Sequence, residues 1–102
     1  MKRKKSKLKG QVKYKIDIFK DSETNQYTGI AQGLNYSGYG LTIDEAIKNT
    51  NISVEMALEW CVENGTFEDV LKESGFELRT ENDKPIWEQK SYVGSFESSI
   101  AA

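Results

Sequence analysis

From Val12 to Lys20 the apolar and polar positions alternate, placing Val12, Tyr14, Ile16 and Ile18 on one side and Lys13, Lys15 and Asp17 on the other. A period of two is that of a strand with one buried face. Asp21–Gln26 (DSETNQ) then supplies Asp, Ser and Asn, whose short side chains bond their own backbone in turns. Tyr27–Ala31 resumes with β-compatible residues, so the pair reads as a hairpin. Leu34–Gly40 (LNYSGYG) reads as a third strand or an extended connection, with Gly33, Gly38 and Gly40 marking points where the backbone bulges or turns.

At Thr42 the period changes. Thr42-Ile43-Asp44-Glu45 matches the S/T-x-x-E capping box, which satisfies two orphan amides and starts a helix at Ile43. Asp44 and Glu45 also lie where the helix dipole favours negative charge. Ile43, Ala46, Ile47, Val54, Ala57, Leu58 and Cys61 recur at helical spacing, and Asn64-Gly65 supplies the stop, giving a helix of about six turns. A second, short helix starts at Thr66 and ends at Ser74-Gly75. Phe76–Thr80 alternates as a strand would, and Glu81–Pro85 is a polar turn. Beyond it, Ile86–Gln89 and Ser91–Phe96 fit strands, while Val93, Phe96 and Ile100 fit the apolar side of a docked tail. These elements predict an α+β domain: a small, mainly antiparallel sheet in β-β-β-α-α-β order with one long amphipathic helix packed on one face. Residues 11–80 are its expected extent. Residues 1–10, with Leu8 alone as a sizeable apolar side chain after Met1, are expected to be a flexible basic arm, and 81–102 a tail or an extra strand.

The long helix carries more apolar surface than one sheet contact needs. Ile52, Met56 and Trp60 form an i, i+4, i+8 row away from the Ile43–Val54–Leu58 stripe. Either the C-terminal tail of the same chain, with Trp87, Tyr92 and Phe96, covers this row, or another molecule does, in which case Ile52, Met56 and Trp60 are an oligomer interface or a docking strip.

Charge sharpens this picture. The 102 residues sum to −2, yet residues 1–20 hold nine basic groups against Asp17, which is +8, and residues 21–102 hold five against fifteen acids, which is −10. A basic arm precedes an acidic body. Lys2, Arg3, Lys4, Lys5, Lys7 and Lys9 can clamp phosphates through counterion release, although no aromatic residue before Tyr14 could stack on bases. The other readings of the arm are a solvated terminus or one that lies on an acidic protein surface. Glu55, Glu59 and Glu63 recur every four positions on the helix, as a solvated face or as an acidic strip for a basic partner.

The composition also excludes chemistries. Without a histidine there is no Ser-His-Asp or Cys-His apparatus and no His metal ligand, and the single Cys61 makes neither an internal disulfide nor a cysteine-rich zinc site. The glycines at 33, 38 and 40 lack the Lys-Ser/Thr of a P-loop and the helix-entry glycine of a dinucleotide fingerprint. No carboxylate pair is placed for acid and base work. The chain is therefore expected to be no enzyme and to carry no cofactor or metal. No apolar run reaches 18 residues, and no stretch of 7–15 apolar residues follows the basic N-terminus, so a cytoplasmic protein with no membrane contact is expected.

The order of parts from Tyr14 to Leu78 resembles the HicB-like domain, the antitoxin half of bacterial HicA–HicB toxin–antitoxin pairs. The likeness rests on a Tyr-x-Ile-x-Ile first strand (Tyr14, Ile16, Ile18), an acidic turn and second strand, and Gly33-Leu34. It continues in a Gly-x-Thr-x-x-Glu-Ala-Ile signature (Gly40, Thr42, Glu45, Ala46, Ile47), in Asn49, and in a closing Gly75-Phe76-Glu77-Leu78 strand. Three features depart from it. Gln32-Gly33-Leu34-Asn35-Tyr36-Ser37 stands where the family often has Pro-Gly-Leu-Pro-Gly-Cys. The 24 residues after Leu78 hold no strand followed by two helices for operator binding, and the basic extension is at the opposite end. The resemblance implies a partial ribonuclease-H-like domain that forms homo-oligomers and masks a small basic RNA-cleaving toxin. Tyr36, Tyr39, Glu55, Glu59 and Glu63 are the candidate partner contacts. Competing expectations are a nucleic-acid-binding module that works through the arm, and an oligomeric structural relative without a toxin.

Overall fold

A computed structural model describes residues 10–90 and 93–101. In chain order the elements are β1 (Gln11–Lys13), β2 (Ile16–Lys20), β3 (Tyr27–Ala31), β4 (Ser37–Gly40), α1 (Ile43–Glu63), α2 (Phe67–Glu73), β5 (Phe76–Glu81) and β6 (Lys84–Gln89). The class is α+β, as expected, with α1 packed across β4, β3 and β2.

The strands form two sheets rather than one. The first has the order β2-β3-β4 and is antiparallel throughout. The second has the order β1-β6-β5, in which β6 runs antiparallel to β5 and parallel to β1. The alternating segment Val12–Lys20 is thus split at Tyr14-Lys15, with its first part in one sheet and its second in the other. The two residues at the break are held from outside the strand. The Tyr14 hydroxyl donates to Asn51 Oδ1 on α1, and the Lys15 carbonyl accepts the Gln32 amide at 2.8 Å. The alternation survives the break, with Val12, Tyr14, Ile16 and Ile18 half buried and Lys13, Lys15 and Asp17 exposed.

The helix boundaries follow the local signals. Thr42 accepts the Glu45 amide on its hydroxyl at 3.1 Å, while the Glu45 carboxylate reaches back to the Leu41 amide at 2.8 Å, one residue before the cap. Gly65 and Gly75 follow the two helices at positive φ (69° and 88°), where a residue without Cβ is favoured. The β5–β6 turn has Asn82 and Asp83 both at positive φ (52° and 61°), the signature of a two-residue type I′ hairpin.

Two expectations need correction. The third strand is only Ser37–Gly40; the chain from Gln32 is a turn closed by Ala31 and Tyr36, whose amide and carbonyl bond at 2.9 Å. The glycines of β4 are there for close helix approach, not for a bulge. A Cβ on Gly38 would sit 2.3 Å from the backbone nitrogen of Thr50, so only glycine lets α1 lie this near the sheet. Ile86–Gln89 is a strand, and a central one. Its Trp87 is buried, with the ring edge-on to Phe67 at a centroid distance of 6.2 Å, in a core with Ala31, Leu34, Val54, Leu58, Leu71 and Phe76. Each large side chain fully buried in this way contributes ~1.5–3 kcal/mol. Thr50, the buried polar residue, donates its hydroxyl to the Ala46 carbonyl at 2.7 Å.

Candidate functional site

Among the described residues, the tail does not cover α1. Residues 93–101 have no regular structure, and Val93, Phe96 and Ile100 are each about nine-tenths exposed or more (93%, 89% and 96%). Trp87, the other aromatic considered as a cover, belongs to the core; Tyr92 lies outside the described residues. The row on α1 is therefore on the surface: Ile52, Met56 and Trp60 are 43%, 66% and 62% exposed. Exposed single apolar residues are ordinary, but three at one-turn spacing on one helix form a strip.

The strip exists because α1 uses its opposite side fully. Ala46, Thr50, Val54, Leu58 and Cys61 are the buried residues, and they face the sheet and α2. Glu55 and Glu59 each stand one position before a member of the apolar row, and Glu63 extends their line by a turn. Glu55 and Glu59 are half buried and Glu63 is exposed. A shallow groove bordered by Ile47, Lys48, Asn51, Ile52, Glu55 and Met56 runs beside them. The Tyr14 hydroxyl bonds to Asn51, one of the groove residues. Burial first, and then the charge of Glu55, push this hydroxyl above the ordinary tyrosine value, so it stays a neutral donor to Asn51 at physiological pH.

The two candidate tyrosines are separated. Tyr36 is half buried and packs against the core. Tyr39 is 63% exposed on β4, on the sheet face away from α1, because it alternates with Gly38 and Gly40, which face the helix. Its backbone carbonyl accepts Asn49 Nδ2 at 2.6 Å, which ties the edge strand to α1. Tyr39 therefore cannot share one contact surface with Glu55, Glu59 and Glu63, which lie beyond the helix. The basic residues Lys2, Arg3, Lys4, Lys5, Lys7 and Lys9 lie outside the described residues.

Sequence reasoning missed a second charged feature. On the outer face of β1-β6-β5, Glu88 lies between Arg79 Nη2 at 2.5 Å and Lys13 Nζ at 3.6 Å, and Arg79 also bonds Glu81 at 2.6 Å. The Arg79 bond first, and the Lys13 charge after it, hold the Glu88 carboxyl below its ordinary value. These partners come from three strands that meet only through sheet pairing, so no spacing in the chain announces them. Among the described residues there is no cluster of three or more Cys, Asp or Glu placed to hold a metal ion, and no helix long and apolar enough to cross a membrane.

Comparison with protein-family models, with curated proteins and with solved structures returned no match.

Proposed function

We propose that this chain is a non-catalytic binding protein of the HicB antitoxin kind, whose outward α1 face docks and masks a small basic RNA-cleaving protein. The observation that carries the reading is the parallel run of an exposed apolar row, Ile52, Met56 and Trp60, beside an acidic row, Glu55, Glu59 and Glu63, on the one side of α1 that the fold leaves uncovered. Apolar anchors supply affinity when desolvated, with Trp foremost among them. The acids select a cationic partner and speed its approach. Together α1 and α2 hold eight acids against Lys48 and Lys72, so the helical layer is net negative. Arginine-rich or lysine-rich surfaces are what an RNA-cleaving protein presents to its substrate, so an acidic cover on that surface would block RNA.

The test is co-expression with the product of the adjoining reading frame. A short basic protein that co-purifies with this chain, is released by Glu59→Lys or Trp60→Glu, and stops growth when expressed alone is the expected result. A neighbour that is not basic, or a complex that survives both substitutions, overturns the reading. A self-association lost in Trp60→Glu, with no neighbour bound, would instead assign the strip to a homo-oligomer.

A further inference from the structure

We infer that the open face of the β2-β3-β4 sheet, on the side opposite α1, binds single-stranded nucleic acid, with Phe19 and Tyr39 as stacking platforms and a lysine-lined cleft beside them for phosphates. The inference is independent of the α1 docking strip, which lies on the other side of the sheet.

The register places the platform. Phe19 pairs with Thr28, and Thr28 with Tyr39, so the three side chains form one row across the sheet. The neighbouring row, Ile18, Gly29 and Gly38, faces α1, with a Cβ on Gly29 or Gly38 meeting Thr50 at 2.3 Å. Adjacent rows point to opposite faces, so Phe19, Thr28 and Tyr39 point away from the helix. Phe19 is 56% exposed and Tyr39 63%. They stand two strand spacings apart, roughly 9.5 Å, with the small Thr28 between them and room for a base on each ring. The amino-acid sequence had the basic residues for phosphate but no aromatic among them; the sheet supplies the missing rings from strands twenty residues apart.

Charge favours a polyanion here and not on the helix side. The three strands hold Asp17 as their one acid, and its Oδ1 already accepts Gln32 Nε2 at 3.0 Å. Lys15 lies on the same side of the alternating segment as Phe19. With Lys90, and with Lys13 and Glu88, which pair with each other at 3.6 Å, it lines a cleft of about 620 Å³ at the junction of the two sheets, together with Gln32 and Gln89. Lys15, in the link just before β2, and Phe19 are four residues apart on one side of the extended chain, about 13 Å. A strand of nucleic acid can therefore lay its backbone in the cleft while its bases reach the rings. Stacking is tolerant of sequence, and the phosphate contacts are salt dependent.

The experiment measures fluorescence anisotropy of labelled oligo(U) and oligo(dT) on the full chain at low and at physiological salt. Binding that weakens steeply with salt, that falls roughly tenfold for each of Phe19→Ala and Tyr39→Ala, and that loses salt slope in Lys15→Gln/Lys90→Gln supports the site. Both aromatic positions are exposed, and an unchanged circular dichroism spectrum and melting temperature show that the variants fold. Absence of binding to either oligonucleotide at low salt overturns the inference. So does binding that is lost on removal of residues 1–9 but unchanged in Phe19→Ala/Tyr39→Ala, which would make it electrostatic attraction to the arm. A doubled mass in solution that reverts in the same double variant also overturns it, because the face would then be covered by a second copy.

Discussion

In the sheet β2-β3-β4 the residues that face the helical layer include Gly29, Gly38 and Gly40, whereas in β1-β6-β5 they are Phe76 and Trp87. The first sheet gains its contact with α1 by removing side chains until the two backbones nearly touch. The second is packed by large rings, Trp87 set edge to face against Phe67 of α2. Both ends meet in a single core, since Ala31 and Leu34 from the first half join Trp87, Phe76 and Leu71 from the second. The outer faces differ as well. The first sheet shows Phe19 and Tyr39 to solvent, while the second shows the ion cluster of Lys13, Glu88, Arg79 and Glu81. A sheet whose outer charges are matched offers little to a partner. One that exposes aromatic rings with few charges does.

Three substitutions can break or sharpen this contrast. Trp87→Ala removes the largest ring of the core and should cost about 3–5 kcal/mol in urea unfolding, the largest effect of the three. Gly38→Ala adds only one methyl, but its immediate neighbours would be the Thr50 nitrogen and Asn49 carbonyl carbon of α1, at 2.3 and 2.4 Å, which cannot rotate away. A cost of about 1–3 kcal/mol is expected, much more than a single methyl would cause on an exposed strand. If one core joins the two sheets, Gly38→Ala should unfold in one transition seen alike by Trp87 fluorescence and far-ultraviolet circular dichroism. Separate transitions in Gly38→Ala would mean that the sheets are independent units.

Arg79→Ala should have the smallest effect, because its ion pairs are exposed and screened by solvent. Its mark is pH dependence. The Glu88 carboxyl is held below its ordinary value in the folded state, so its contribution is present above that ordinary value and is lost as pH falls through the depressed folded one. In Arg79→Ala the melting temperature should therefore fall less steeply between mildly acidic and strongly acidic pH than in the parent chain, and added salt should reduce the difference.

The site was legible in part. The row Ile52–Met56–Trp60 and the acids Glu55, Glu59 and Glu63 could be placed on α1 from periodicity alone, since both depend on the helix and not on its surroundings. Their exposure could not, because the C-terminal tail with Trp87, Tyr92 and Phe96 offered an alternative cover. Tyr36 and Tyr39 looked like one patch, yet Tyr36 lies in the chain before β4 begins and packs on the core, while Tyr39 alternates with Gly38 and Gly40 to the open face. Phe19 gave no signal of its own: its role depends on which strands lie beside β2.

What the sequence determined by itself is local: the α1 cap at Thr42, the stops at Gly65 and Gly75, the turn at Asn82-Asp83, and the alternation of Val12 to Ile18. Each of these is set by dihedral preferences and hydrogen bonds within a few residues, so the information is contiguous. Only the tertiary structure decided that one alternating segment serves two sheets, that β1 pairs parallel with the last strand, and that Trp87 enters the core. Those outcomes follow from pairing and packing between residues up to seventy-five positions apart, such as Gln11 with Ile86. The period of a strand names the side it buries, and leaves its neighbours to be settled by the core they build together.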